Sequence, residues 1–169
     1  IGDLVAGSKH GAVALIGAGG VGKAIAFALA SLGIAGLNIF DADRAKAEAL
    51  SSQLHGRLKA RVTDDVAGAL EGVVGVVNGT PVGMLPDRGM AVQDALLHGG
   101  LWVADAVYTP LWTPLLMAAK AKGARVMTGR DLAVYQAADA FELFTGLKPP
   151  VDVIQNAFDA EMASRYPAT

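Results

Sequence analysis

The feature that most restricts this chain is the stretch over residues 12–32, AVALIGAGGVGKAIAFALASL. Residues 12–16 are a short apolar run that stops at a glycine, as a buried parallel strand does. Gly17, Gly19 and Gly22 then spell G-x-G-x-x-G, and a helical pattern follows to Leu32 with Gly33 as its stop. In a strand–turn–helix setting each glycine has a physical task. Gly17 permits the tight turn, Gly19 lets backbone approach a pyrophosphate, and Gly22 lets the helix pack on the strand. The free N–H groups and positive dipole end of the helix then face the phosphates.

The same residues nearly spell a rival motif. Gly17 to Lys23 fits G-x-x-x-x-G-K, the start of a Walker A phosphate loop, but Ala24 stands where that motif needs a hydroxyl for magnesium. A methyl group cannot ligate a hard cation that demands oxygen. The runs LWVAD, ending at Asp105, and LNIFD, ending at Asp41, imitate Walker B strands without repairing the defect. Lys23 reads as a solvated first-turn lysine.

Composition narrows the partners. Among 169 residues, 53% are hydrophobic and 18% charged, which excludes a disordered chain. The formal net charge of −2 gives no reason to expect nucleic acid. The absence of cysteine rules out disulfides, thiolate zinc and a cysteine nucleophile, and agrees with an expected cytoplasmic location. The apolar stretch 24–32 is too short to span a bilayer. His10, His55 and His98 share no ligand spacing, so no metal is expected.

Along the chain, residues 1–11 read as the tail of something preceding, ending in the polar Gly7-Ser8-Lys9-His10. A second strand over 37–40 stops at Asp41, nineteen residues past Gly22, about where the fingerprint needs an acid for ribose hydroxyls. An alanine-rich helix is predicted over 45–58, a short strand over 59–62 and a brief helix opened by Asp64 and Asp65. The strand at 72–77 is apolar throughout and runs into Asn78-Gly79-Thr80-Pro81-Val82-Gly83-Met84, dense in turn formers. A helix at 92–97, a strand at 101–105, a helix entered through Thr113-Pro114 and ended by Gly123, and a strand at 125–127 follow. Helices over 131–143 and 151–162 close the chain around the break Pro149-Pro150. This alternation predicts a Rossmann-type doubly wound parallel sheet of about six strands, ordered 3-2-1-4-5-6, with helices on both faces and residues 12–169 as one dinucleotide-binding domain.

Four segments together resemble one family: Gly17-Ala18-Gly19-Gly20, the string 78–84, the string DAVYTPLWTPL at 105–115 and YQAADAFELFTG at 135–146. In this order and spacing they are similar to the cofactor-binding half of shikimate and quinate dehydrogenases. The resemblance implies reversible hydride transfer between a nicotinamide and an alcohol carbon of a cyclohexene or cyclohexane carboxylate. It implies that Gly17, Ala18, Gly19, Gly20 and Val21 hold the pyrophosphate, and that Asn78, Thr80 and Pro81 line the path from adenosine to nicotinamide. Val107, Gly129 and Leu132 would lie near the nicotinamide. Tyr108 and Gln136 would face the substrate, the Gln136 carboxamide bonding a ring hydroxyl.

Three departures from the family pattern shape the expectations. Its members carry an N-terminal substrate domain with a catalytic lysine and aspartate, and no Lys–Asp pair here can take that role. The expectation is therefore a chain without its substrate domain, which binds dinucleotide but turns over nothing alone. NADP-using members place Asn-Arg-Thr where this chain has Asp41-Ala42-Asp43, which points to NAD over NADP, with Arg44 the nearest cation able to swing in. Asp131-Leu132-Ala133 replaces the family's Gly-Met-Leu string before the glutamine. The apolar stripe Val151, Ile154, Phe158 and Met162 is expected to have met the missing domain. The rival functions are a non-catalytic dinucleotide-binding module or subunit and a P-loop nucleotide binder.

Overall fold

A computed structural model of the chain describes residues 1–6 and 11–166. Its strands are β1 (Ala12–Ile16), β2 (Gly36–Phe40), β3 (Ala60–Val62), β4 (Val73–Asn78), β5 (Trp102–Asp105) and β6 (Arg125–Met127). The helices are α1 (Gly2–Ala6), α2 (Gly20–Ser31), α3 (Arg44–Gln53), α4 (Val66–Leu70), α5 (Pro114–Ala121), α6 (Gly129–Thr145) and α7 (Val151–Arg165). The strands form one six-stranded sheet in the order β3-β2-β1-β4-β5-β6, and every pairing is parallel. This is the expected doubly wound order.

The apolar runs work because alternate residues of a strand point to opposite faces. Val13 and Leu15 join Leu37, Ile39 and Val77 beneath Ile25 and Leu29 of α2 and Leu50 of α3. Ala14 and Ile16 join Val76 and Val103 on the other face, against Ala69 of α4 and Leu115, Leu116 and Ala119 of α5. Each fully buried leucine contributes about 1.5–3 kcal/mol relative to exposure.

Register then sets up the site. Ile16 sits opposite Phe40 on one side and Asn78 on the other, and Asn78 is opposite Asp105. Four strands therefore end in one row, and their following loops share the carboxyl edge. The order reverses between β1 and β4, so the crevice opens beside β1.

Several elements depart from the sequence reading. The helix expected at 92–97 is only a 3-10 turn, Asp94–Leu96. Its buried anchors, Val92 and Leu97, are five residues apart, which no helical face accommodates. The third helix stops at Gln53 rather than Leu58, because Gly56 turns the chain at φ 77°. Residues 2–6 form α1, and Val5 is 1% exposed in the core. The expected polar stretch Gly7-Ser8-Lys9-His10 lies outside the described residues. No helix among the described residues is long and apolar enough to cross a membrane.

Candidate functional site

The glycine loop is built by close contacts and by one open space. Gly17 has φ 98°, a backbone region that side chains avoid. A Cβ on Gly22 would lie 1.9 Å from the Gly17 carbonyl oxygen, so the start of α2 touches the loop backbone. Gly19 and Gly20 are different: a Cβ on either would meet nothing within 4 Å. Protein packing does not demand glycine there, whereas close approach of an external group would. Gly19 is the N-cap of α2, and no side chain caps the helix. Its first N–H groups form an uncapped positive end.

Asp41 braces this loop. Its Oδ2 accepts from the Ala18 N–H at 2.7 Å and its Oδ1 from the Asp43 N–H at 2.8 Å. The Gly17 N–H donates to the Phe40 carbonyl at 2.8 Å. The Ala18 N–H therefore points at Asp41 rather than outward. Asp43 caps α3, its Oδ1 accepting from the Ala45 N–H at 3.2 Å.

Three hollows follow one another along the carboxyl edge. The first, about 470 Å³, is lined by Gly17, Gly19, Asp41, Thr80, Pro81 and Lys46 among others. The second, about 230 Å³, shares Gly79, Thr80 and Pro81 with it and adds Val21, Ala106, Val107 and Tyr108. The third, also about 230 Å³, shares Val21 and Ala106 with the second and is lined by Leu132, Gln136, Met127 and Asp105. The shared walls join them into one trench running from Asp41 to Gln136. A larger hollow of about 490 Å³, lined by His55, Arg57 and Lys59, lies at the turn after α3 and meets none of these residues.

The trench floor is a saturated polar cluster. Asn78 is fully buried; its Nδ2 donates to Asp105 Oδ1 at 2.9 Å and to the Val82 carbonyl at 3.2 Å. Its Oδ1 accepts from the Thr80 N–H at 3.0 Å and the Thr80 hydroxyl at 2.7 Å. The polar atoms of Asn78 are thus committed inward, to Asp105 and to its own loop. Asp105 Oδ1 also accepts from the Val107 N–H at 3.0 Å, and Oδ2 accepts from the Thr113 hydroxyl at 2.7 Å. Burial pushes the Asp105 carboxyl above its ordinary value, while the bonds from Thr113, Val107 and Asn78 pull it back down.

At the far end, a Cβ on Gly129 would lie 2.4 Å from the Val107 carbonyl oxygen, so glycine lets α6 dock on the β5 loop. Tyr108 is 45% exposed, and its ring meets Phe158 of α7 edge-on, centroids 6.0 Å apart. Gln136 is exposed on α6, beside Leu132 along the same hollow. Val151, Ile154, Phe158 and Met162 are all half-buried.

Comparison with known proteins places the chain in a family. Residues 127–157 match the family model for the shikimate 5'-dehydrogenase C-terminal domain. The chain is 40% identical over 151 residues to a quinate/shikimate dehydrogenase (NAD(+)) of Corynebacterium efficiens, covering 86% of this chain and 53% of that protein. The chain belongs to the shikimate/quinate dehydrogenase family. It is 44% identical over 142 residues to a shikimate dehydrogenase (NADP(+)) of Streptomyces avermitilis, covering 81% of this chain and 49% of that one. Its fold superposes on a quinate dehydrogenase from Corynebacterium glutamicum in complex with NAD, with a TM-score of 0.85 at 36% identity. That match covers 94% of this chain and 58% of the other. The chain thus spans about half the length of the shikimate/quinate dehydrogenases it matches.

Within this family frame, two site residues escaped the sequence reading. Lys46, not Arg44, is the cation lining the Asp41 hollow; Arg44 is held by Glu48 at 2.7 Å and by Asp64. Lys46 lies 3.6 Å from Asp43. Asp43 opens α3 and Lys46 stands three residues later, so the helical period would have revealed it. Asp105 stood out only as a strand end, since nothing in its sequence neighbourhood shows that Asn78 and Thr113 converge on it.

Proposed function

We propose that this chain is the NAD-binding part of a shikimate/quinate dehydrogenase-type oxidoreductase. The observation that carries the reading is the continuous trench, with Asp41 at one end, an uncapped helix start beneath it and Gln136 at the other. Gly19, Gly20 and Val21 take the pyrophosphate on free amides. The lone pairs of Asp41 not used by Ala18 and Asp43 accept from ribose hydroxyls. Thr80 and Pro81 wall the middle, while Val107 and Leu132 keep water from the nicotinamide end.

The dinucleotide, when bound, supplies or takes up a hydride at a ring carbon of a cyclohexene or cyclohexane carboxylate. Gln136 bonds a ring hydroxyl of that substrate, and Tyr108 flanks it. The proton-transfer lysine and aspartate that the family resemblance implies have no counterpart in these residues, so the chain alone binds without turning over. General acid–base groups typically contribute ~10²–10⁴-fold. A cytoplasmic setting and NAD-linked work on a small cyclic acid complete the proposal.

NAD is favoured over NADP because the phosphate replacing the 2'-hydroxyl would face a carboxylate. A pair of unit charges at ~4 Å interacts by roughly 4 kcal/mol at an effective dielectric near 20, and screening at the rim leaves about 1–3 kcal/mol. Calorimetry should show NAD binding roughly ten- to a hundredfold tighter than NADP. Asp41→Asn should shrink that ratio, and Lys46→Ala should widen it by weakening NADP. A wild-type preference for NADP, or a ratio unmoved by Asp41→Asn, would sink the Asp41 role. Clear oxidation of shikimate or quinate by the 169-residue chain alone would overturn the division of labour.

A further inference from the structure

Asp105 is an unusual carboxylate for its setting. It is 2% exposed at the end of β5, and no salt bridge reaches it among the described residues. What it has instead is three donors, each from a different structural element: the Asn78 amide ending β4, the Val107 N–H in the β5 loop and the Thr113 hydroxyl capping α5. Retaining a buried carboxylate without a cation is expensive, and an apolar side chain would suit this depth better for stability alone. The geometry of the three donors explains what the carboxylate does there.

Asn78 passes the constraint onward. While its Nδ2 is held by Asp105, its Oδ1 is free to fix the Thr80 N–H and hydroxyl, and the Thr80 hydroxyl in turn accepts from the Val82 N–H at 3.2 Å. Val107, held by Asp105 through its N–H, presents its carbonyl to Gly129 and so sets where α6 starts, with Leu132 and Gln136 on its first two turns. Thr113 divides its hydroxyl between donating to Asp105 and accepting from the Leu116 N–H at 3.3 Å, which anchors the exit of the β5 loop. One carboxylate thereby joins both ends of the loop that carries Tyr108 to the loop on the opposite wall.

We propose that Asp105 is a positioning residue for the nicotinamide end of the trench: its carboxylate fixes the Val107–Tyr108 loop against the Asn78–Thr80 loop and sets the width of the second and third hollows. Asp105 is 2% exposed at the wall of the third hollow and acts through the groups it holds. The proposal rests on the dinucleotide-binding reading above, and it makes a prediction that reading does not. The nicotinamide end, held through both Val107 and Asn78, should depend on Asp105 far more than the adenosine end, where Asp41 and the glycine loop share the wall with Thr80 and Pro81.

Calorimetry with NAD and with ADP-ribose, which has no nicotinamide, separates the two ends. Asp105→Asn keeps the shape but turns Oδ2 into a donor facing the Thr113 hydroxyl, leaving one hydrogen without an acceptor. It should weaken NAD by about tenfold and ADP-ribose by less than about twofold, on the scale of one buried unsatisfied group. Thr113→Val should follow Asp105→Asn, and Thr113→Ser, which keeps the hydroxyl, should restore the wild-type ratio; this pair decides the matter if Asp105→Asn fails to fold. Equal weakening of both ligands, or no change in either, would overturn the proposal and leave Asp105 a structural residue. If the wild type binds ADP-ribose but gains nothing from nicotinamide, the proposal falls while the dinucleotide site stands. A wild type that binds neither ligand overturns the parent reading and this one with it.

Discussion

The carboxyl edge of the sheet and the α6–α7 pair each hold a carboxylate by several hydrogen bonds, and they hold it in opposite ways. Asp105 is buried, bonded to neutral donors, and pushed upward in pKa by burial. Asp159 on α7 lies at the surface, where Arg130 of α6 grips it with two N–H groups at 2.7 and 2.6 Å, and that hydrogen bonding lowers its pKa. The surroundings match. Around Asp105 the polar atoms are paired and the loops are set by backbone contacts such as Gly22 on Gly17. Around α6 and α7 apolar side chains stand in solvent, with Leu143 81% and Phe144 85% exposed. The difference teaches that precision in this molecule is concentrated where strands end, and that the two terminal helices are fastened by fewer and more solvated contacts.

The largest expected effect tests the edge itself. Gly22→Ala must push α2 off the Gly17 carbonyl, which should cost about 1–3 kcal/mol by overpacking and abolish dinucleotide binding, as thermal unfolding and calorimetry would show. Gly19→Ala is its counterpart, with open space around the new methyl. It should leave the melting temperature unchanged and still weaken NAD. If Gly19→Ala destabilised the protein as much as Gly22→Ala, the open space would be a packing contact after all.

A smaller effect is read in pH. Because the folded state raises the Asp105 pKa above its ordinary 3.8, the folded protein holds that proton to higher pH than the unfolded chain does. Its contribution to stability is therefore full below the ordinary value and is lost as pH rises through the folded one. The stability of wild type minus Asp105→Asn should fall over that window and stay flat above it. A difference that instead rose with pH would mean the three donors outweigh burial.

The smallest effect belongs to the helix pair. The lowered pKa of Asp159 gives a contribution present above 3.8 and lost as pH falls through the depressed folded value. Both partners are solvated, so Asp159→Asn should lower the melting temperature only slightly, and high salt should erase the difference. A large, salt-insensitive loss would place α7 among the precisely held elements and dissolve the contrast.

Much of the architecture is legible in the amino-acid sequence alone. Periodicity and glycine placement determine six parallel strands, their order, and the loop over α2, because a strand buried on both faces has few ways to be written. The placement of Asp41 directly after β2 is legible because it ends an apolar run. Helix ends are legible less well, since the stop at Gly56 depends on a backbone angle and the failure of 92–97 to coil depends on where its two anchors are buried. Only the tertiary structure decided the rest. That Ala18 turns its N–H to Asp41 and that Asn78 faces inward are consequences of neighbours 23 and 27 residues away. The Asp105 cluster is the clearest case. Sequence local to Asp105 records a strand end, but parallel register sets Asn78 beside it, and the loop brings Thr113 back to its second oxygen. Periodicity reports which face a residue takes; which hydrogen-bond partners meet there is settled by the packing of segments remote in the chain.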